Sequence, residues 1–213
     1  MQNSYDQIAE QWHAQTRAKP YIDRVLRYVD QAIAGLQPGA RVLDLGCGTG
    51  LPVARYLVEK GFRVTGVDQS VKMLEIAKQQ VPEAELLPSD MVHVKLTTGF
   101  GAAIAWDSIF HVERKHHSEL FHKVAKSLEA GGRFLVSVGG SDPASSAEHA
   151  AASSESGQEG FTSEMFGHTF FYSGYDPRVA RGLLEAAGFA IEVWEIDDPS
   201  SRGHIAVIAK KTA

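Results

Sequence analysis

The stretch Val42-Leu-Asp-Leu-Gly-Cys-Gly-Thr-Gly50 decides how this chain is read. A short apolar run leads into three alternate glycines, Gly46, Gly48 and Gly50. Glycine lets the backbone turn sharply and lets a ligand come close with no side chain in the way. The residues after the turn, 51 to 60, have helical character, so the unit reads strand, turn, helix. A helix start carries unpaired N–H groups, which suits such a turn to ligand binding. A dinucleotide site reads G-x-G-x-x-G. Here the third glycine comes one position early, as G-x-G-x-G, and Asp44 stands two residues before the first.

Outward from this turn the pattern alternates. Apolar strands are expected at Arg41 to Leu45, Arg63 to Val67, Glu85 to Leu87, Ala102 to Trp106 and Arg133 to Val138. Helices are expected near 51 to 60, 70 to 80 and 113 to 129. Such alternation predicts an α/β fold, doubly wound, with a mostly parallel sheet and helices on both faces. Upstream, residues 4 to 17 and 20 to 34 read as N-terminal helices. Ile22, Val25, Leu26, Val29 and Ile33 recur at helical spacing, and Pro20 sits where a helix can begin. Downstream, a helix at 177 to 187 leads into Phe189 to Ile196, a turn-rich stretch, and His204 to Ala209. Two strands around a short loop predict a hairpin and an antiparallel C-terminal strand. Gly139 to Gly160 is rich in Ser, Ala, Gly and Glu and lacks an apolar face; residues 139–176 are expected to form a lid or insertion. One domain over residues 1–213 accommodates all of this, with the N-terminal helices in 1–35.

The bulk properties narrow the partners. The chain has 213 residues, 44% hydrophobic and 22% charged, as in ordinary globular domains. Its net charge of -5 provides no basic surplus for phosphates, so nucleic acid is not the expected partner. Cys47 is the one cysteine, so no internal disulfide is available. The polar start MQNSYDQIAEQW lacks the basic and apolar regions of a signal peptide, and no apolar run reaches membrane-spanning length. A cytoplasmic location without membrane association is the expectation.

Asp68 ends the second strand about twenty residues past the glycine turn, where a carboxylate can accept the hydrogens of both ribose hydroxyls. That chemistry supports a nucleoside cofactor without choosing one. The alternative is a helix cap, for which Ser70 is the better candidate. In an open α/β sheet the ligand crevice lies at strand C-termini, which puts Trp106, Asp107, Ser108 and His111 at its edge.

VLDLGCGTG is similar, almost letter for letter, to the first motif of the class I S-adenosylmethionine (SAM)-dependent methyltransferase family, and the resemblance runs from about Tyr5 to Lys210. It implies a Rossmann-like, seven-stranded sheet, SAM as cofactor and S-adenosylhomocysteine as product. The cofactor contacts it implies are Asp44, Gly46, Cys47, Gly48, Gly50 and Leu51 at the turn, with Asp68, Gln69 and Met73 after the second strand. Ser89, Asp90 and Met91 follow the third strand, where the acid resembles the group that receives the adenine amino hydrogens; Trp106 and Asp107 follow the fourth. Tyr5 and Trp12 lie in a segment that resembles the family's first helix, in which an aromatic closes over SAM; docking the helix on the sheet is the equal alternative.

Trp106-Asp-Ser-Ile-Phe-His111 resembles the fourth motif of small-molecule methyltransferases rather than the Asn/Asp-Pro-Pro-Tyr of enzymes that act on base amino groups. A small-molecule acceptor, methylated on oxygen or nitrogen, is therefore expected. A general base is needed only where the acceptor must lose a proton. His111 is the first candidate, with Tyr172 and His204 behind it, although each of these side chains can equally shape the pocket. The run Lys115-His-His117 reads as a solvated helix face, and no catalytic metal is expected. The competing readings are an RNA or protein acceptor, a non-catalytic SAM-binding protein, and an NAD enzyme, the last disfavoured by the early third glycine.

Overall fold

The computed structural model describes residues 4–139, 161–198 and 204–212. In chain order the elements are α1 (Ser4–Gln15), α2 (Lys19–Ala32), β1 (Arg41–Leu45), α3 (Val53–Glu59), β2 (Arg63–Asp68), α4 (Val71–Gln80), β3 (Glu85–Pro88), β4 (Phe100–Ala105), α5 (His117–Ser127), β5 (Leu128–Val138), β6 (Phe161–Met165), β7 (His168–Tyr172), α6 (Pro177–Ala186), β8 (Phe189–Asp198) and β9 (His204–Lys211). Two short 3-10 turns, Ile109–His111 and Arg114–His116, lie between β4 and α5.

Seven strands form one sheet in the order β3-β2-β1-β4-β5-β9-β8. The pairs from β3 through β5 are parallel, and β9 is antiparallel to both β5 and β8. This is the mostly parallel sheet that the alternating pattern predicts and the Rossmann-like one that the resemblance implies; the antiparallel C-terminal strand β9 lies between β5 and the edge strand β8. Successive side chains of a strand point to opposite faces. So Leu43 and Leu45 of β1 join one buried core, with Leu120 and Phe121 of α5 and Leu184 of α6. Val42 joins the other, with Val25 and Val29 of α2 and Ala54 and Leu57 of α3. Every residue of β4 is buried, as expected for a central strand covered on both faces.

Local chemistry explains the helix limits. Pro20 lies in the first turn of α2, where a missing N–H costs nothing. Ser70 caps α4 by accepting from the Met73 amide at 3.2 Å. The expected helix at 113–129 is shorter: α5 ends at Ser127, and the chain goes straight into β5, whose register shifts where it meets Phe100 and Ala102.

The expectation of a loop over Gly139 to Gly160 falls almost wholly outside the described residues. The later part of the expected 139–176 insertion is a regular antiparallel hairpin, β6-β7, separate from the main sheet. It approaches the sheet's C-terminal edge, where α1 meets β7: the Ser4 hydroxyl donates to the Thr169 carbonyl at 3.3 Å. Asp6 of α1 ties the same helix to α4, its Oδ1 accepting from the Ser70 hydroxyl at 2.6 Å and the Lys72 amide at 3.1 Å. Among the described residues no helix is long and apolar enough to cross a membrane.

Candidate active site

β1 delivers the glycine turn to the C-terminal edge of the sheet. The amides of Gly46 and Cys47 both donate to the Val67 carbonyl, at 2.7 and 3.1 Å, so the turn is fastened to β2. Gly46 has φ 75°, and a Cβ there would lie 2.3 Å from Ser108 Cβ. Ser108 is held in turn by donating to the Leu45 carbonyl at 2.9 Å. Gly50, at φ 79°, answers to a different constraint. Its missing Cβ makes room for Val81 and Ala77, so it packs the start of α3 onto α4 and does not border the cleft.

That cleft, about 260 Å³ in volume, follows the C-termini of β1 to β4. Of the residues the sequence proposes for cofactor contact, all but Gly50 border it: Tyr5, Trp12, Asp44, Gly46, Cys47, Gly48, Leu51, Asp68, Gln69, Met73, Ser89, Asp90, Met91, Trp106 and Asp107. His111 borders it as well, whereas Tyr172 and His204 do not. Thr16, Tyr21, His93, Glu113 and His116 border it too, and no motif signals them.

Asp44, Asp68, Asp90, Asp107 and Glu113 bring carboxylates to the lining. Asp68, at the end of β2, accepts from the Gly48 amide and the Ser70 amide, each at 2.8 Å, so it braces the glycine turn from below. Burial raises its pKa, opposed by those same amide donors. Asp44 is more deeply placed, and its Oδ2 is buried without a hydrogen-bond partner. Burial, and then the charge of Asp68, push its pKa up to about 7. A buried acid lacking a partner is costly as an anion and suits a cationic ligand. A ligand bearing a sulfonium and an ammonium fits these acids, and the bare Gly46 gives it access; SAM is such a molecule. Asp90 Oδ1 accepts from the Val92 amide at 2.7 Å, which shapes the loop after β3. Lys123 of α5 reinforces that loop by donating to the carbonyls of Met91, Val92 and Val94.

Cation binding should be readable as proton release. At pH values near and below 7 part of Asp44 is protonated in the free protein. A bound cation favours the anion, so up to about one proton leaves on SAM binding. Calorimetry in buffers of different ionisation enthalpy is expected to show this release below neutrality and its decline well above pH 7. Asp44→Asn should remove it; an unchanged buffer dependence in that variant would contradict the assignment.

The cleft's opposite wall is aromatic. Tyr5 Oη and His111 Nε2 are 2.7 Å apart, and His111 Nδ1 lies 2.8 Å from the Phe171 carbonyl of β7. The carbonyl accepts only, so Nδ1 carries the hydrogen and Nε2 accepts from the Tyr5 hydroxyl. Burial lowers the His111 pKa, so the ring is neutral at physiological pH. Tyr5 also makes edge contacts with Trp12 and Phe170. Outside the cleft lining, His13 Nδ1 lies 3.1 Å from the Thr49 hydroxyl, which ties α1 to the glycine turn.

His204 sits behind the lining. Its Nε2 is 2.8 Å from Asp107 Oδ1 and its Nδ1 is 2.6 Å from Asp197 Oδ1. Burial lowers its pKa, but the hydrogen bonds and charges of the two aspartates outweigh this and lift it to about 9. Tyr172 stacks on Phe110, outside the cleft. The Lys115-His-His117 run departs from its sequence reading: His117 is buried with Nε2 2.8 Å from the Val112 carbonyl, and His116 faces the cleft, because a 3-10 turn precedes α5 and rotates the run inward.

The chain's similarities agree with this architecture. Residues 12–193 match the family described as "Methyltransferase domain". Among curated proteins, the ubiquinone biosynthesis O-methyltransferase of Alkalilimnicola ehrlichii is 30% identical over 146 residues, 63% of this chain and 56% of that protein. The S-adenosyl-L-methionine-dependent Diels-Alderase iccD of Talaromyces variabilis is 31% identical over 194 residues, 83% of this chain and 63% of that protein. The chain thus spans less than two thirds of these relatives' length. Among solved structures, the 1,6-didemethyltoxoflavin-N1-methyltransferase of Burkholderia thailandensis superposes with a TM-score of 0.68 at 19% identity, covering 97% of this chain and 86% of that one.

Proposed function

This chain belongs to the class I SAM-dependent methyltransferase family, and from that membership we propose that it transfers a methyl group from SAM to an oxygen or nitrogen of a small-molecule acceptor. The observation that carries the reading is the cleft itself: a glycine turn without room for a Cβ at Gly46, bordered by Asp44, Asp68 and Asp107. SAM supplies a methyl already activated by its sulfonium, so the protein's part is to bind, align and exclude water. Asp68 takes the ribose, Asp90 and Met91 the adenine end, and the acids at β1 and β4 the amino-acid end.

Where the acceptor carries a proton, His111 is the base. Its Nε2 faces the Tyr5 hydroxyl, so the proton reaches the imidazole by way of that hydroxyl: the acceptor gives its proton to Tyr5 Oη as Tyr5 gives its own to Nε2. The charged imidazole is then supported by the nearby Asp107 carboxylate. A small acceptor is favoured because the edge around Trp106 presents Asp107, Ser108 and His111 rather than a basic groove. The named activities of the O- and N-methyltransferase relatives point the same way.

A second reading has one specific support. The relative matched over the largest share of this chain among those described above is named a SAM-dependent Diels-Alderase, so SAM here can be a bound group that keeps its methyl. Side-by-side calorimetry with SAM, S-adenosylhomocysteine and NAD tests the first part of the proposal. SAM and its product are expected to bind and NAD not; binding of NAD alone would end the reading. Methyl-labelled SAM incubated with a panel of small phenols, acids and amines separates the two readings, since only a transferase moves the label.

A further inference from the structure

We propose that Asp197 and His204, from the C-terminal hairpin β8-β9, are positioning residues that hold the Asp107 carboxylate for the ammonium group at the amino-acid end of the cofactor. The inference rests on the SAM reading above and concerns residues outside the cleft lining.

Asp107 follows β4 with a left-handed φ of 51°, a conformation uncommon outside glycine. Its amide donates to the Ser137 hydroxyl of β5 at 2.8 Å, which keeps the backbone in place. Its side chain is gripped on both oxygens: Oδ2 accepts from the Tyr21 hydroxyl at 3.1 Å, and Oδ1 lies 2.8 Å from His204 Nε2. Each carboxylate oxygen has two lone-pair directions, so this grip leaves acceptor capacity for a ligand.

His204 is itself over-determined. Its other nitrogen meets Asp197 Oδ1, and the fully buried Asp197 side chain pairs through Oδ2 with Arg24 Nε of α2 at 3.3 Å. Carboxylates accept and do not donate, so an imidazole between two of them carries a hydrogen on each nitrogen and is a cation. A cation ion-paired with a carboxylate on either side is an anchor rather than a base. Two aspartates, one imidazolium and one guanidinium make the buried group neutral overall. The ring edges of Trp106 and Phe110 complete the enclosure.

The sheet order shows which end of the ligand Asp107 meets. Asp90 and Asp68 follow β3 and β2, the nucleoside side, and the glycine turn follows β1. Asp107 follows β4, on the far side of the turn, and shares the cleft border there with Tyr21 and Thr16. A ligand with its ribose at Asp68 and its chain across the turn therefore brings its amino-acid end to Asp107. A carboxylate free to rotate would lose affinity for an ammonium through the entropy of ordering it; one already fixed does not.

Two probes separate positioning from mere structure. S-Adenosylhomocysteine carries the amino acid, and 5′-methylthioadenosine is the same nucleoside without it. His204→Gln is expected to weaken S-adenosylhomocysteine by about ten-fold and to leave methylthioadenosine unchanged. Asp107→Asn should show the same split, and adding His204→Gln to it should cost nothing further, as residues acting through one group are non-additive. Nitrogen NMR of the imidazole is expected to find both ring nitrogens of His204 protonated at neutral pH. Equal weakening of both ligands by His204→Gln, or of neither, overturns the proposal. If His204→Gln does not fold, Asp197→Asn carries the same comparison. A wild-type chain that binds neither probe overturns the SAM reading together with this inference, a result distinct from binding that lacks the split.

Discussion

Alanine at Gly46 is expected to cost the protein its cofactor affinity by roughly 10²-fold or more. Two penalties add there. The residue sits at φ 75°, where a side chain costs roughly 1 kcal/mol or more. The new Cβ would lie 2.3 Å from Ser108 Cβ and 3.0 Å from its Oγ. Ser108 has little freedom to retreat, because it is buried and its hydroxyl is bound to the Leu45 carbonyl. Relieving such overlap costs about 1–3 kcal/mol in packed interiors. The least costly relief moves the turn itself, which drags its amides from the Val67 carbonyl and reshapes the cleft. Calorimetry with S-adenosylhomocysteine measures the loss, and the melting temperature shows whether the fold survives. Gly48→Ala is the comparison: its Cβ would meet only Trp12 Nε1 at 3.7 Å, so its penalty is the backbone one alone. Wild-type affinity in Gly46→Ala would mean that the turn does not cradle the ligand.

Replacing His111 with Ala is expected to slow methyl transfer to a proton-bearing acceptor by roughly 10²–10⁴, the usual contribution of a positioned base. S-Adenosylhomocysteine affinity should change little, since the ring's bonds are to Tyr5 and Phe171. The pH profile adds a second check. Burial lowers the His111 pKa below its ordinary 6.5, so the active, neutral ring predominates at pH 7. The wild-type rate should therefore rise with pH through a limb below 6.5 and then level off, and the variant should lose that limb. Tyr5→Phe should show a comparable loss, because it removes the hydroxyl through which the proton passes. The measurement uses the acceptor found in the labelled-methyl screen. A normal rate in His111→Ala would leave alignment as the only mechanism.

Much of the architecture is legible in the residues. The strand, turn and helix around Gly46 to Gly50 are written locally: apolar strand residues, glycines where φ is positive, then helical spacing. The same holds for the Ser70 cap, the early Pro20 in α2 and the antiparallel pairing of β8 with β9. The cofactor side of the cleft is legible for a related reason. A parallel sheet brings all its strand C-termini to one edge, so Asp44, Asp68, Asp90 and Asp107 converge once the strands are recognised. The hairpin β6-β7 is less legible: Phe161–Met165 and His168–Tyr172 follow a polar stretch that masks their alternation.

The acceptor side and the supporting shell depend on contacts across great sequence separation. Tyr5 and His111 are 106 positions apart, and neither shows in sequence that it caps the other. Gly50 belongs to the motif, but its missing side chain serves the packing of α3 on α4. Tyr21 and Lys123 lie in ordinary amphipathic helices, with nothing in their spacing to mark them for the cleft. His204 reads as a candidate base until Asp107 and Asp197 are seen on either side of it. The sequence by itself determines the α/β class, the glycine turn and the acids along one edge, because periodicity and turn chemistry act between near neighbours. Only the tertiary structure decides which histidine is neutral and which is charged, because burial and opposed carboxylates come from elements distant along the chain.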